Sequence, residues 1–137
     1  MNKEQISKTL RDYAWMMNSI MMIESDLNQH DSKVTALYGL EAAMPKAKGD
    51  PSDPVSKEVC RREKKWNRLE RYKNRCGFIT DRMHRITDDR ELEVLHLILD
   101  GFSNRKIARH MGFSHTHIKR IQDSIVDKLD DDGRIAV

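Results

Sequence analysis

Lys119 and Arg120 stand side by side, with Thr116 before them and Asp123 after. These are the side-chain types that read base-pair edges. Lysine and arginine donate to guanine O6 and N7. Aspartate accepts from cytosine N4 or orients a neighbouring arginine. Four such residues act together only if one helix carries them on one face. With Ile118, Ile121 and Ile125 turned inward, a helical step of about 100° per residue turns Thr116, Lys119, Arg120, Asp123 and Asp127 outward. The N-terminal half of a recognition helix sits deepest in the major groove. That selects Thr116, Lys119, Arg120 and Asp123 as base readers, with His115 and Gln122 at the flank. Ser114 and the backbone N–H groups of the first turn suit a phosphate. Arg105, Lys106 and Arg109, one helix earlier, suit the DNA backbone.

Such a helix must be braced, and the segment NRKIARHMGFSHTHIKRI from Asn104 to Ile121 supplies the brace. Two helices crossing at close range need a small residue at the crossing, which Ala108 provides. A turn of three or four residues needs a left-handed backbone position, which Gly112 provides. Ile118, Ile121 and Ile125 then lock the second helix against the first. Ser103 and Ser114 are the expected N-caps of the two helices. Upstream, Leu92, Leu95, Ile98 and Leu99 form one face of a further helix, Asp89 to Leu99, which Gly101 ends. The expectation is a tri-helical core from Asp88 to Leu129.

The run RELEVLHLILDGFSNRKIARHMGFSHTHIKRIQDSIVDKL resembles the helix-turn-helix of LuxR-type response regulators and of sigma factor region 4. Glu91, Val94, Leu95, Gly101, Ser103, Asn104, Ile107, Ala108, Gly112, Ser114, Thr116, Lys119, Ile125, Lys128 and Leu129 carry the resemblance. It implies double-stranded DNA as the partner and a role in transcription. A tri-helical core with no nucleic-acid partner is the alternative, because fold alone does not give function.

The 137 residues suffice for one domain, or for a small domain with an extended helical part. Residues 3–29 predict a first helix with a heptad seam of Ile6, Leu10, Tyr13, Met17, Ile20 and Leu27, interrupted at Glu24. Trp15, Met16, Met21, Met22 and Ile23 add apolar surface off the seam. Such a helix needs a partner, either the long helix of the same chain or its own copy. Residues 30–40 predict one or two helical turns. MPKAKGDPSDP then brings three prolines and a glycine, and reads as a linker. Residues 55–86 predict a long helix, capped by Ser52 or Asp53, with a seam of Leu69, Tyr72, Cys76, Ile79, Met83 and Ile86 and a weak point at Gly77. The resulting division is 1–54, 55–87, 88–130 and a frayed tail, 131–137, and the three aspartates from Asp130 to Asp132 oppose the dipole of the preceding helix.

Net charge is only +3, but it is unevenly placed. Residues 51–90 hold twelve Lys and Arg against seven Asp and Glu, a local +5, while each flank is −1. Arg61, Arg62, Lys64, Lys65 and Arg68 on the long helix are candidate DNA-backbone contacts. The competing reading is a solvated surface that neutralises acidic residues of a partner helix. The layout as a whole, with its SDP-containing linker, resembles the ArpU and RinA group of small phage regulators from Gram-positive bacteria. That likeness implies activation of late phage genes in a bacterial cytoplasm.

Other chemistries lack their residues. His110, His115 and His117 come without CxxC or HExxH, and on a helix 115 and 117 diverge by roughly 160°. No metal, cofactor or enzymatic activity is expected. Cys60 and Cys76, sixteen residues apart, would stand about 24 Å apart on one helix and cannot bond to each other. They point to a reducing compartment. No apolar run is long enough to cross a membrane. The expected protein is all-α and homodimeric. Two functional alternatives remain, a sigma-like adaptor gripping RNA polymerase and a small terminase-type DNA-packaging subunit.

Overall fold

The computed structural model describes residues 1–41 and 54–132, with side chains for 1–29 and 54–132. The described residues are helical, with no strand among them: α1 (Lys3–Glu41), α2 (Pro54–Arg82), a single 3-10 turn (Met83–Arg85), α3 (Asp89–Leu99), α4 (Asn104–Met111) and α5 (His115–Leu129). The Pro/Gly linker and the Ser52 or Asp53 cap lie outside them, as do residues 133–137. Two compact units emerge, Met1–Met17 with Asn74–Val137, and Asn18–Lys73.

In the first unit, thirteen buried residues make one core. Val94, Leu95 and Ile98 come from α3, Ile107 from α4, and Ile118, Ile121, Ile125, Val126 and Leu129 from α5. Ile6 and Leu10 of α1 and Ile79 of α2 join them, as does Ile86. The start of α1 therefore packs in cis on the helix-turn-helix. Ala14 fixes the fit, because a Cβ built on Gly101 would lie 3.0 Å from that of Ala14. Arg75 of α2 reaches both Thr9 and Asp12 at 3.4 Å.

The turns follow the sequence closely. The Asp88 carboxylate accepts from Glu91 N at the start of α3. Ser103 Oγ accepts from Lys106 N at 3.3 Å, and Ser114 Oγ from His117 N at 3.1 Å. Gly101 and Gly112 take φ values of +91° and +70°, where a side chain would be strained.

Three expectations need correction. α1 does not stop near residue 29 but continues to Glu41, since extending a helix is easier than nucleating a new one. α2 leaves the helical path at Arg82, and Ile86 reaches the core from an extended position (φ −90°, ψ 104°). The chain just after α5 is held instead of frayed. Asp130 is only 4% exposed, and Asp131 bonds Arg82 at 2.9 Å and Arg85 at 2.8 Å. Arg85 also donates to Leu129 O, placing positive charge at the negative end of α5. These two arginines hold the Asp131 carboxyl down at about 2.

The second unit pairs the remainder of α1 with the first part of α2. Among the described residues its buried apolar side chains are Ile20, Ile23, Leu27 and Leu69. Lys73 bonds Glu24 at 2.6 Å, and Lys65 approaches Asp26 at 3.7 Å. Met21, Met22, Val59 and Trp66 stay exposed. Among the described residues no helix is long and apolar enough to cross a membrane.

Candidate nucleic-acid interface

The candidate base readers all lie on the first turns of α5 and all reach solvent. Ser114, His115, Thr116, Lys119, Arg120 and Asp123 are exposed, while Ile118, Ile121 and Ile125 are buried beneath them. The division follows the helical period. Ser114 Oγ satisfies only the N–H of His117, which leaves the first N–H groups of α5 directed outward. Among the described residues Lys119, Arg120 and Asp123 have no ion-pair partner, so their charged ends are free for a ligand.

Gln122, expected at the flank of the reading face, is otherwise engaged. Its amide exchanges hydrogen bonds with that of Asn104, pinning the start of α4 to the middle of α5. On the far side of α5, Glu91 accepts from Ser124 Oγ at 2.7 Å and from Lys128. Glu91 is thus a bolt between α3 and α5, and its carboxylate is mostly buried. His117 stacks on Phe113, with ring centroids 4.4 Å apart and planes 16° from parallel, which steadies the turn between α4 and α5. Phe113 also lies under Arg90.

α4 carries the second group of cations. Ser103, Arg105, Lys106, Arg109 and His110 line one shallow concave patch. Lys106 lies 4.5 Å from the Phe102 ring centroid, and His110 stands 3.6 Å from Glu93. Arg105 and Arg109 project into solvent.

The basic residues of α2 belong to the other unit. Arg61 pairs with Glu58 at 3.1 Å, and Lys65 is half-buried beside Asp26. Lys64 and Arg68 are exposed, while Arg62 is half-buried. For Lys65 and for Lys73 the arrangement matches the competing reading, in which the long helix neutralises acids on a partner helix.

One cation of the interface region was missed from sequence. Arg11 of α1 lines a groove of about 300 Å³ with Ser7, His115, Lys119 and Asp123. No local pattern marked it, because its position depends on α1 packing in cis. Among the described residues no three His, Cys, Asp or Glu side chains converge as a metal site. Cys60 is exposed and Cys76 buried, and both are free thiols.

Comparison with known proteins points the same way. Residues 88–136 match the GerE model, described as bacterial regulatory proteins of the luxR family. Over 136 residues the chain is 25% identical to the uncharacterized protein YqaQ of Bacillus subtilis (strain 168), covering 94% of this chain and 89% of that one. No solved structure matches the chain. The family match covers α3, α4 and α5 with their caps and turns. Residues 88–136 thus form a helix-turn-helix similar to the DNA-binding domain of LuxR-type regulators.

Proposed function

We propose that this protein is a sequence-specific regulator of transcription that binds duplex DNA through α5 and activates late genes of a phage. The observation that carries the reading is the unpaired, exposed set of Thr116, Lys119, Arg120 and Asp123 over a buried isoleucine face. Those four read bases. Ser114, His115, Arg105, Lys106 and Arg109 hold phosphates on either side. Phage context and activation rest on the likeness of chain layout to the ArpU and RinA group.

A single small domain reads a short site, so the regulator acts as a homodimer on a two-part operator. Exposed Met21, Met22, Val59 and Trp66 support this, because a second copy would cover apolar side chains now open to solvent. The competing assignment is a sigma-like adaptor, in which the same core grips RNA polymerase. Sequencing genomic fragments that co-purify with the protein, followed by gel shift without polymerase, separates the two. The regulator retains a shared motif and shifts it alone. An adaptor shows no sequence preference in the absence of polymerase, and that result would overturn the assignment.

A further inference from the structure

The groove beside α5 has one wall from outside the helix-turn-helix. Ser7, Leu10 and Arg11 of α1 face His115, Lys119, Gln122, Asp123 and Val126 of α5 across it. Two contacts hold α1 in that place. Lys3 Nζ lies 2.9 Å from Asp127 Oδ1, toward the end of α5, and Ala14 sits against Gly101. Ile6 and Leu10, buried in the same core as α5, fix the wall beside the recognition helix.

Arg11 is exposed and has no carboxylate partner among the described residues. The neighbouring acid, Asp12, is already bonded to Arg75. Arg11 thus adds unneutralised positive charge beside Lys119 and His115, against the single carboxylate of Asp123. An α-helix with its side chains is about 10–12 Å across and nearly fills a major groove of about 12 Å. An element packed along its flank must then lie over the strand that edges the groove, where the ligands are phosphates. The guanidinium fork suits a phosphate better than any other side chain does.

We propose that Arg11 of α1 grips the DNA backbone beside the recognition helix, so that the DNA-binding surface extends beyond residues 88–136. The inference rests on the reading of α5 as the helix that enters the groove. It assigns Arg11 affinity without base preference, because phosphate contacts position a protein and do not specify sequence.

The test is the salt dependence of binding to a labelled duplex of mixed sequence and to a retained genomic site. The full chain is compared with Arg11→Ala, Arg11→Lys and, as a charge control from the other unit, Lys57→Ala. For Arg11→Ala we expect a several-fold loss on both duplexes alike, with the slope of log affinity against log salt falling by about one. Arg11→Lys should restore most of the slope, and Lys57→Ala should keep it. Wild-type affinity and slope in Arg11→Ala, alongside an Arg120→Ala protein that loses its site, would overturn the role of Arg11 and leave that of α5 standing. Failure of the unmodified chain to bind either duplex would overturn both.

Discussion

The two units of this chain are built on opposite principles. Around the helix-turn-helix, apolar side chains from α1, α2, α3, α4 and α5 converge on one core. Each turn there is specified by an aspartate or serine cap or a left-handed glycine. In Asn18–Lys73, two helices rich in charge share, among the described residues, a thin line of buried side chains and are tied by lysine–carboxylate pairs. A closely packed core holds side chains to within a fraction of an ångström, which base reading requires. Exposed ion pairs are worth little and leave a surface adaptable. The first unit is therefore suited to holding a recognition face, and the second to meeting a partner.

The sharpest way to break that contrast is to open each core in turn. Leu95, fully buried in α3, has neighbours fixed on every side, so Leu95→Ala should cost about 3–5 kcal/mol. Leu27→Ala in the second unit should cost nearer 2 kcal/mol, because a two-helix layer collapses more readily around the gap. Urea unfolding of the two variants measures the difference, and equal losses would count against it.

The glycines come next. Gly101→Ala should cost about 1–2 kcal/mol for its left-handed backbone, and more because Ala14 must move. Gly112→Ala should show the backbone cost alone, since nothing lies within 4 Å of the added carbon. Thermal melts should therefore rank Gly101→Ala below Gly112→Ala. The reverse order would mean that α1 does not press on the α3–α4 turn.

A smaller effect concerns acid. Asp131 is held at about 2 by Arg82 and Arg85, below the usual carboxylate range. A depressed carboxyl contributes stability in full above its unfolded value, and that stability fades as pH falls from about 4 toward 2. Asp131→Asn should flatten the fall of stability across that window. An unchanged acid limb would show that the clamp adds nothing. Smallest of all, Lys73→Ala should cost under about 0.5 kcal/mol, because both members of the Lys73–Glu24 pair are about half exposed. A loss above 1 kcal/mol would contradict the picture of a weakly tied second unit.

The same contrast explains what could be read from the chain. The bounds of α3, the caps at Ser103 and Ser114 and the left-handed Gly101 and Gly112 follow from signals confined to a few residues. The inward set Ile118, Ile121 and Ile125 follows from helical period, and with it the outward set. What escaped depends on distance along the chain. A heptad seam looks the same whether its partner is in cis or in trans, so the docking of Ile6 and Leu10 on the C-terminal core was open. Nothing near Asp131 announces Arg82 and Arg85, some fifty residues earlier. The reach of α1 past residue 29 escaped because residues 30–40 read as only one or two helical turns, yet no proline before Pro45 enforces a break. Arg11 escaped for the same reason as Ile6, since its place beside Lys119 comes from tertiary packing alone.

The most direct measurement is the affinity of Arg120→Ala for a retained genomic site and for a duplex of mixed sequence, at one fixed salt concentration. If α5 reads bases, the variant should lose roughly 1–3 kcal/mol on the site and far less on the mixed duplex, with its melting temperature unchanged. Equal affinity for the site in the variant and the unmodified protein would contradict the assignment of α5 as the reading helix.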